Sequence, residues 1–169
     1  MINISTIIKK SLKSAIFGLC PRNVEISRFI GIIKEKTMSK HLELAQSYRN
    51  DTNIHYNCAQ SVLMAFKDVT GLSDEAAFKV AADFGGGLKH GNTCGAITGG
   101  LMVLGFLGYE DHETVAKLFD LVANEHDGCT DCADLIRINS KKGLPKKPHC
   151  DKLVYDVVEF IDKLIEAKA

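Results

Sequence analysis

Four of the chain's six cysteines, Cys58, Cys94, Cys132 and Cys150, come from four well-separated stretches: Asn57-Cys58, Thr93-Cys94-Gly95-Ala96, Thr130-Asp131-Cys132 and Pro148-His149-Cys150. Each stretch reads as the beginning of a helix. The first turn of a helix carries unpaired backbone N–H groups and the positive end of the macrodipole, both of which favour an anion. A thiol placed there is pushed towards the thiolate, the form that attacks disulfides and binds metals. Residue type and placement therefore point to sulfur chemistry.

Cys94 is the foremost candidate for a thiol of low pKa. Glycine at position 95 leaves the sulfur unobstructed, and Asn92 or Thr93 is placed to cap the following helix. Cys129-Thr130-Asp131-Cys132 adds a Cys-x-x-Cys unit, a spacing that allows a disulfide across one turn or a metal knuckle. Cys129 is either a resolving thiol or an incidental neighbour of Cys132. No βαβ pattern surrounds the unit, which argues against a thioredoxin domain. His149 stands beside Cys150, and His55 and His90 lie in sequence near Cys58 and Cys94. His149 could accept a proton or serve as an alternative ligand, although each of the three alone is more often a solvated loop residue. The basic stretch 141–148, with Lys141, Lys142, Lys146 and Lys147, reads as a loop that could attract an anion, and more simply as a solvated one.

Two chemistries fit these residues. In the first, a thiol–disulfide oxidoreductase, Cys94 attacks and a second framework cysteine resolves the mixed disulfide. Its partner would be a redox protein or a small thiol or disulfide. Four cysteines allow three connectivities, so the pairing stays open. In the second, the four thiolates hold zinc or an iron–sulfur cluster, for which four is the right number. Cysteine is also a common packing residue, and a small helical binding module could bury it for that reason alone. Four cysteines at four helix starts argue against this.

The elements that must position these groups are helical. Leu42, Leu44, Ala45 and Tyr48 mark a first helix, and Cys58 to Val69 carries Val62, Leu63, Phe66 and Val69 at spacings of three and four, ending at Gly71. Ser73 reads as an N-cap before Ala76, Ala77, Val80 and Phe84. The glycine-rich stretch 85–92 predicts a loop delivering the chain to Cys94, since each interior glycine costs a helix roughly 1 kcal/mol against alanine. The next helix, from Gly95 to about Leu107, is apolar nearly all round and belongs at the centre. Further helices are expected from Glu113 to about His126, from Cys132 to about Asn139, and from Asp151 to about Ala167. The last carries the cleanest apolar stripe, Leu153, Val154, Val157, Val158, Ile161, Leu164 and Ile165. No alternating strand pattern is found, so the pattern predicts an all-α, single-domain helical bundle around a glycine-rich helix.

Residues 1–37 read as an N-terminal extension, poorly ordered, and 38–169 as the folded domain. The extension holds seven Lys/Arg and two Asp/Glu, net +5, against fourteen and nineteen in the remainder, net −5. A mildly acidic body argues against nucleic acid as a partner. Lys9, Lys10 and Lys13 interleave with apolar residues without the uninterrupted apolar run of a secretion signal. Leu19 sits where a lipoprotein cleavage box before Cys20 wants a small residue, and Cys20 has no assigned role. No apolar run approaches the roughly 20 residues that span a bilayer, so no integral membrane segment is expected. Six cysteines without a secretion signal fit reactive thiols in a reducing cytoplasm better than a disulfide scaffold.

The order Asn57-Cys58-Ala59-Gln60-Ser61-Val62, Phe84-Gly85-Gly86-Gly87, Cys94-Gly95-Ala96-Ile97-Thr98-Gly99, Cys132-Ala133-Asp134-Leu135-Ile136 and Cys150 resembles the C-GCAxxG-C-C family of redox-active proteins. The resemblance spans about residues 40–165. It implies a small redox protein in which Cys58, Cys94, Cys132 and Cys150 occupy the four family positions. Three features depart from the pattern: Thr93 stands where the family name puts a glycine, Cys129 is an additional thiol, and the N-terminal extension has no counterpart.

Overall fold

The computed structural model describes residues 38–168, and the expectations for residues 1–37, Cys20 among them, lie outside the described residues. Over the described part the chain forms α1 (Lys40–Asn50), α2 (Cys58–Ala65), α3 (Lys67–Thr70), α4 (Asp74–Val80), a π-helical turn (Gly87–Gly91), α5 (Gly95–Phe106), α6 (His112–Ala123), α7 (Cys132–Lys141) and α8 (Lys146–Lys168). The all-α bundle is as the periodicity predicts. Among the described residues there is no strand, only an isolated antiparallel bridge between Thr93 and Asp131. None of the described helices is long and apolar enough to cross a membrane.

Local signals start the helices. The side chains of Ser39, Asn57, Ser73 and Asp111 each accept a hydrogen bond from a first-turn amide, which satisfies donors that a helix leaves unpaired. Gly71, at φ 69°, ends α3 in the left-handed region. Several boundaries differ from the sequence expectation, among them the ends of α4 at Val80, short of Phe84, and of α6 at Ala123, short of His126. The helix expected from Cys58 to Val69 breaks at Phe66, whose side chain is fully buried and lies 4.2 Å from the ring of His41. Neither Asn92 nor Thr93 caps α5, because Cys94 itself takes the N-cap position. The last helix starts at Lys146, five residues before Asp151, so Lys146 and Lys147 are helical rather than part of a loop. Pro148 is compatible with this, since its missing N–H falls in the first turn, where no intrahelical acceptor is available.

The centre of the bundle is α5, with Ala96, Ile97, Val103 and Leu104 buried, packed against α2 along Ala59, Val62 and Leu63. The two helices approach closely because Gly99 has no side chain. A Cβ at that position would lie 2.8 Å from the Ala59 carbonyl oxygen and 3.0 Å from its Cα. Helix α8 lies over α1, α2 and α5 with Val154, Val157, Val158 and Ile161 inward. It is pinned to α1 by Asp162, which accepts from Ser39 and lies 2.5 Å from His41 Nδ1.

Gly99→Ala is expected to destabilise the protein by about 1–3 kcal/mol, because backbone rather than a flexible side chain must give way. Gly105 lies in the same helix, and a methyl group added there would meet nothing within 4 Å. Gly105→Ala should therefore stabilise by about 0.5–1 kcal/mol. Denaturant unfolding of the two variants checks both signs; a neutral Gly99→Ala would refute the tight α2–α5 contact.

Candidate functional site

Local backbone features bring Cys58, Cys94 and Cys132 together, and α8 carries Cys150. Asn57 begins α2 with a reciprocal capping box, its side chain accepting from the Gln60 amide while Gln60 Oε1 accepts from the Asn57 amide at 2.9 Å. The remaining donors of both side chains reach across the fold: Asn57 Nδ2 to the Ala82 carbonyl at 3.1 Å, and Gln60 Nε2 to the Phe78 carbonyl at 2.9 Å. This fixes the start of α2, and Cys58 with it, against α4 and the segment that follows it. Gly95 then lets α5 begin beside Cys58, since a Cβ there would stand 3.2 Å from Cys58 Cβ.

Cys94 and Cys132 are joined through their approach loops. The Cys94 amide donates to Thr130 O at 3.0 Å and the Cys132 amide to Asn92 O at 2.7 Å, around the Thr93–Asp131 bridge. The π turn makes this pairing sterically possible. Gly86, Gly87, Leu88, Lys89 and Gly91 all have positive φ, and a Cβ on Gly87 would fall 2.3 Å from Asn92 O and 2.7 Å from Cys132 Cβ. Left-handed backbone at Leu88 and Lys89 costs energy that glycine would not incur.

Cys58, Cys94, Cys132 and Cys150 line a single narrow crevice with Leu135, Ile136, His149 and Leu153. The four thus share one crevice, although not all four stand at a helix start. Cys58 and Cys132 are the first residues of their helices and Cys94 is an N-cap, whereas Cys150 lies in the second turn of α8. A larger pocket of about 460 Å³ opens beside the crevice. Cys58, Cys132 and Cys150 border it, together with Tyr48, Arg49, Tyr56, Lys146 and Lys147. Cys94, only 4% exposed, lies behind them.

Electrostatics separates the four thiols. Cys58 is drawn down to about 7, chiefly by a hydrogen bond from the Cys150 thiol and, against the cost of burial, by the charges of Arg49 and Lys146. Cys150 is pushed up for the complementary reason, as donor to Cys58, with burial adding to the effect. Cys132 is raised by burial and by Cys58. Cys94 is pushed up to about 12 by burial and the neighbouring Cys58, although the Ala96 and Ile97 amides pull the other way. The expectation that Cys94 is the low-pKa thiol is thus corrected: desolvation outweighs the helix terminus. Cys58, with a donor and cations around it, takes that role.

Arg49 was not marked by any sequence motif. Its Nε donates to Asp151 Oδ1 at 2.7 Å and a terminal nitrogen to the Tyr56 carbonyl at 2.9 Å, so the guanidinium is held rigidly next to Cys58. Asn57 and Gln60 were legible in principle, since Asn-x-x-Gln before an apolar run is a capping-box signature. Of the histidines, His55 borders the pocket and His149 the crevice. His90 lies exposed on the π turn and borders neither cavity. His149 Nε2 is buried without a hydrogen-bond partner, and burial followed by the nearby His126 lowers the pKa of the ring. Cys129, half-buried, also borders neither cavity.

Residues 56–164, more than half the chain and including all four crevice cysteines, match the family model described as "Putative redox-active protein (C_GCAxxG_C_C)". The chain belongs to this family. No curated protein and no solved structure matches it. For this C-GCAxxG-C-C protein, the family supports a redox-active cysteine protein in general terms. The geometry differentiates four cysteines that the family name treats alike.

Alkylation of Cys58 by iodoacetamide should follow a single inflection near 7. In Cys150→Ala, which removes the largest cause of the depression, the inflection should move towards the ordinary cysteine value of about 8.5, slowing alkylation at pH 7 several-fold. An unmoved inflection would show that Cys150 does not donate to Cys58.

Proposed function

We propose that residues 38–169 form a thiol–disulfide exchange protein in which Cys58 is the attacking thiolate and Cys150 the resolving thiol. The observation that carries this reading is that Cys58 and Cys150 line both the narrow crevice and the open pocket beside it, and the Cys58 thiol there is drawn below its ordinary value by Cys150 and the nearby Arg49 and Lys146. An attacking thiol is most effective when its pKa lies near the ambient pH.

In the first step the Cys58 thiolate attacks one sulfur of a substrate disulfide. A Cys58–substrate S–S bond forms as the substrate's own S–S bond breaks, and one thiolate leaves and takes a proton from solvent. Cys58 is now neutral. The hydrogen bond and charge that chiefly held the proton on Cys150 are gone, and Cys150 ionises more readily. His149, neutral and with an unpartnered ring nitrogen on the same crevice, is placed to receive that proton. The Cys150 thiolate then attacks the Cys58 sulfur, the Cys58–substrate bond breaks, and the expelled second thiolate takes up the proton that His149 holds. Two electrons pass from Cys58 and Cys150 to the substrate, giving a protein disulfide and two substrate thiols. Reduction by another thiol reverses the sequence.

Two observations favour this over zinc or an iron–sulfur cluster. Among the described residues no group of three or more His, Cys, Asp or Glu side chains is placed to hold a metal ion. The crevice that the four cysteines line has a volume of about 10 Å³, room for roughly one water and far too little for an iron–sulfur cluster. A dithiol of this kind fits a reducing compartment such as the cytoplasm, where small thiols would regenerate it.

The test is anaerobic treatment of the reduced protein with excess disulfide, followed by intact-mass measurement and peptide mapping. The wild-type protein should lose a pair of hydrogens and yield a Cys58–Cys150 bond. Cys150→Ser should retain a stable adduct on Cys58, and Cys58→Ser should lose at least about 90% of the exchange rate, as removal of a nucleophile requires. A Cys58→Ser variant reacting at the wild-type rate, or a disulfide formed through Cys94, would sink the assignment. Metal and acid-labile sulfide analysis of the same anaerobic preparation tests the alternative: stoichiometric metal with protected thiols would replace the dithiol reading.

A further inference from the structure

The pocket beside Cys58 is unequal in charge. Arg49, Lys146 and Lys147 border it, with Asp51 the only carboxylate among its lining residues and Tyr48 and Tyr56 as aromatic walls. Asp51 is occupied, its Oδ1 accepting from the Asn53 and Ile54 amides of the turn after α1. Asp151, set behind the pocket, binds Arg49 and Lys147 simultaneously, at 2.7 Å each. That leaves Lys146, for which the described residues supply no ion pair. Its ammonium acts on both Cys58 and Cys132, so its charge bears on the sulfurs as well as on the pocket.

A cation with no carboxylate partner, beside a nucleophile and at the edge of a cavity of this size, suits a small anionic ligand. We infer that the pocket receives a carboxylate-bearing, low-molecular-weight disulfide, of amino-acid to tripeptide size on each half, with Lys146 attracting its carboxylate as Cys58 meets its sulfur. This rests on the exchange reading above and names the substrate class for it. The cavity of about 460 Å³ lies within the roughly 300–1,000 Å³ range of small-molecule pockets, and the two tyrosines offer apolar surface to the methylenes flanking the disulfide. The reaction is the one already written: the small disulfide is the oxidant, is reduced to two thiols, and leaves the Cys58–Cys150 bond behind.

The full-length reduced protein would be mixed at low salt with glutathione disulfide, bis(2-hydroxyethyl) disulfide or cystamine, which are anionic, neutral and cationic at neutral pH. The rate of Cys58 modification would be read by quenched mass spectrometry. Each rate is divided by that of free cysteine with the same disulfide, which removes the intrinsic reactivity of the reagents. The normalised rate should be highest for the anionic probe, by about tenfold over the neutral one, and lowest for the cationic probe, the range expected of electrostatic attraction at a cleft. Lys146→Glu should reverse the order. That substitution is compatible with folding, because it puts an exposed acidic residue in the first turn of α8, where the helix dipole favours it. High salt should compress the differences in the wild type.

Equal normalised rates for the three probes, or an anionic-to-neutral ratio unchanged in Lys146→Glu, would overturn the inference while leaving Cys58–Cys150 exchange standing. Failure of all three disulfides to oxidise the protein would remove the exchange reading and this inference together.

Discussion

Gly99 and Ala59 stand so close that no side chain fits between them, and much of the site follows from that contact. It sets α2 and α5 against each other along their lengths, so their N-termini arrive at the same end of the bundle. Cys58 and Cys94 occupy those two ends. Gly95 continues the close approach as far as the residue adjoining Cys94, and the Thr93–Asp131 bridge then extends the arrangement to α7 and Cys132. Helix α8 supplies Cys150 by lying across α2 and α5. The glycines of this sequence are therefore not incidental to its cysteines: they set the distances between elements that bring the sulfurs into one crevice.

Crowding thiols has an electrostatic outcome. Four neighbouring sulfurs cannot all ionise, because each thiolate raises the pKa of the others and burial works against every one. A small bias decides which carries the charge. Cys58 has it through the Cys150 proton and the fixed charge of Arg49. Cys94 has two first-turn amides yet lies too deep for them to prevail. A helix N-terminus stabilises an anion modestly, whereas full desolvation costs several times more. This comparison accounts for the difference between the residue that sequence placement favours and the one that the folded environment favours.

The bundle itself was legible because α5 and α8 carry long, unambiguous apolar patterns, and Ser73 and Gly71 are strong boundary signals. The convergence of Cys58, Cys94, Cys132 and Cys150 was legible through their shared placement near helix starts and through the family pattern. The start of α8 was not, since the lysines of the basic stretch 141–148 read as a solvated loop, although the first turn of a helix accommodates Lys146, Lys147 and Pro148. The ranking of the thiols was also hidden. It depends on burial depth and on Arg49, a residue held in place by Asp151 more than one hundred positions away, and nothing local to either residue announces the pair.

Cys58 lies near the beginning of the described fold and Cys150 within its last helix, with α3 to α7 between them. A covalent bond joining their sulfurs would enclose most of the domain in one loop. Loop closure on that scale removes entropy from the unfolded chain worth on the order of 4–5 kcal/mol in the chain-entropy model. The oxidation state of the dithiol and the cohesion of the fold would then be thermodynamically linked: the same equilibrium that fixes the potential of the sulfurs would also set how readily the chain unravels and is exposed to proteolysis.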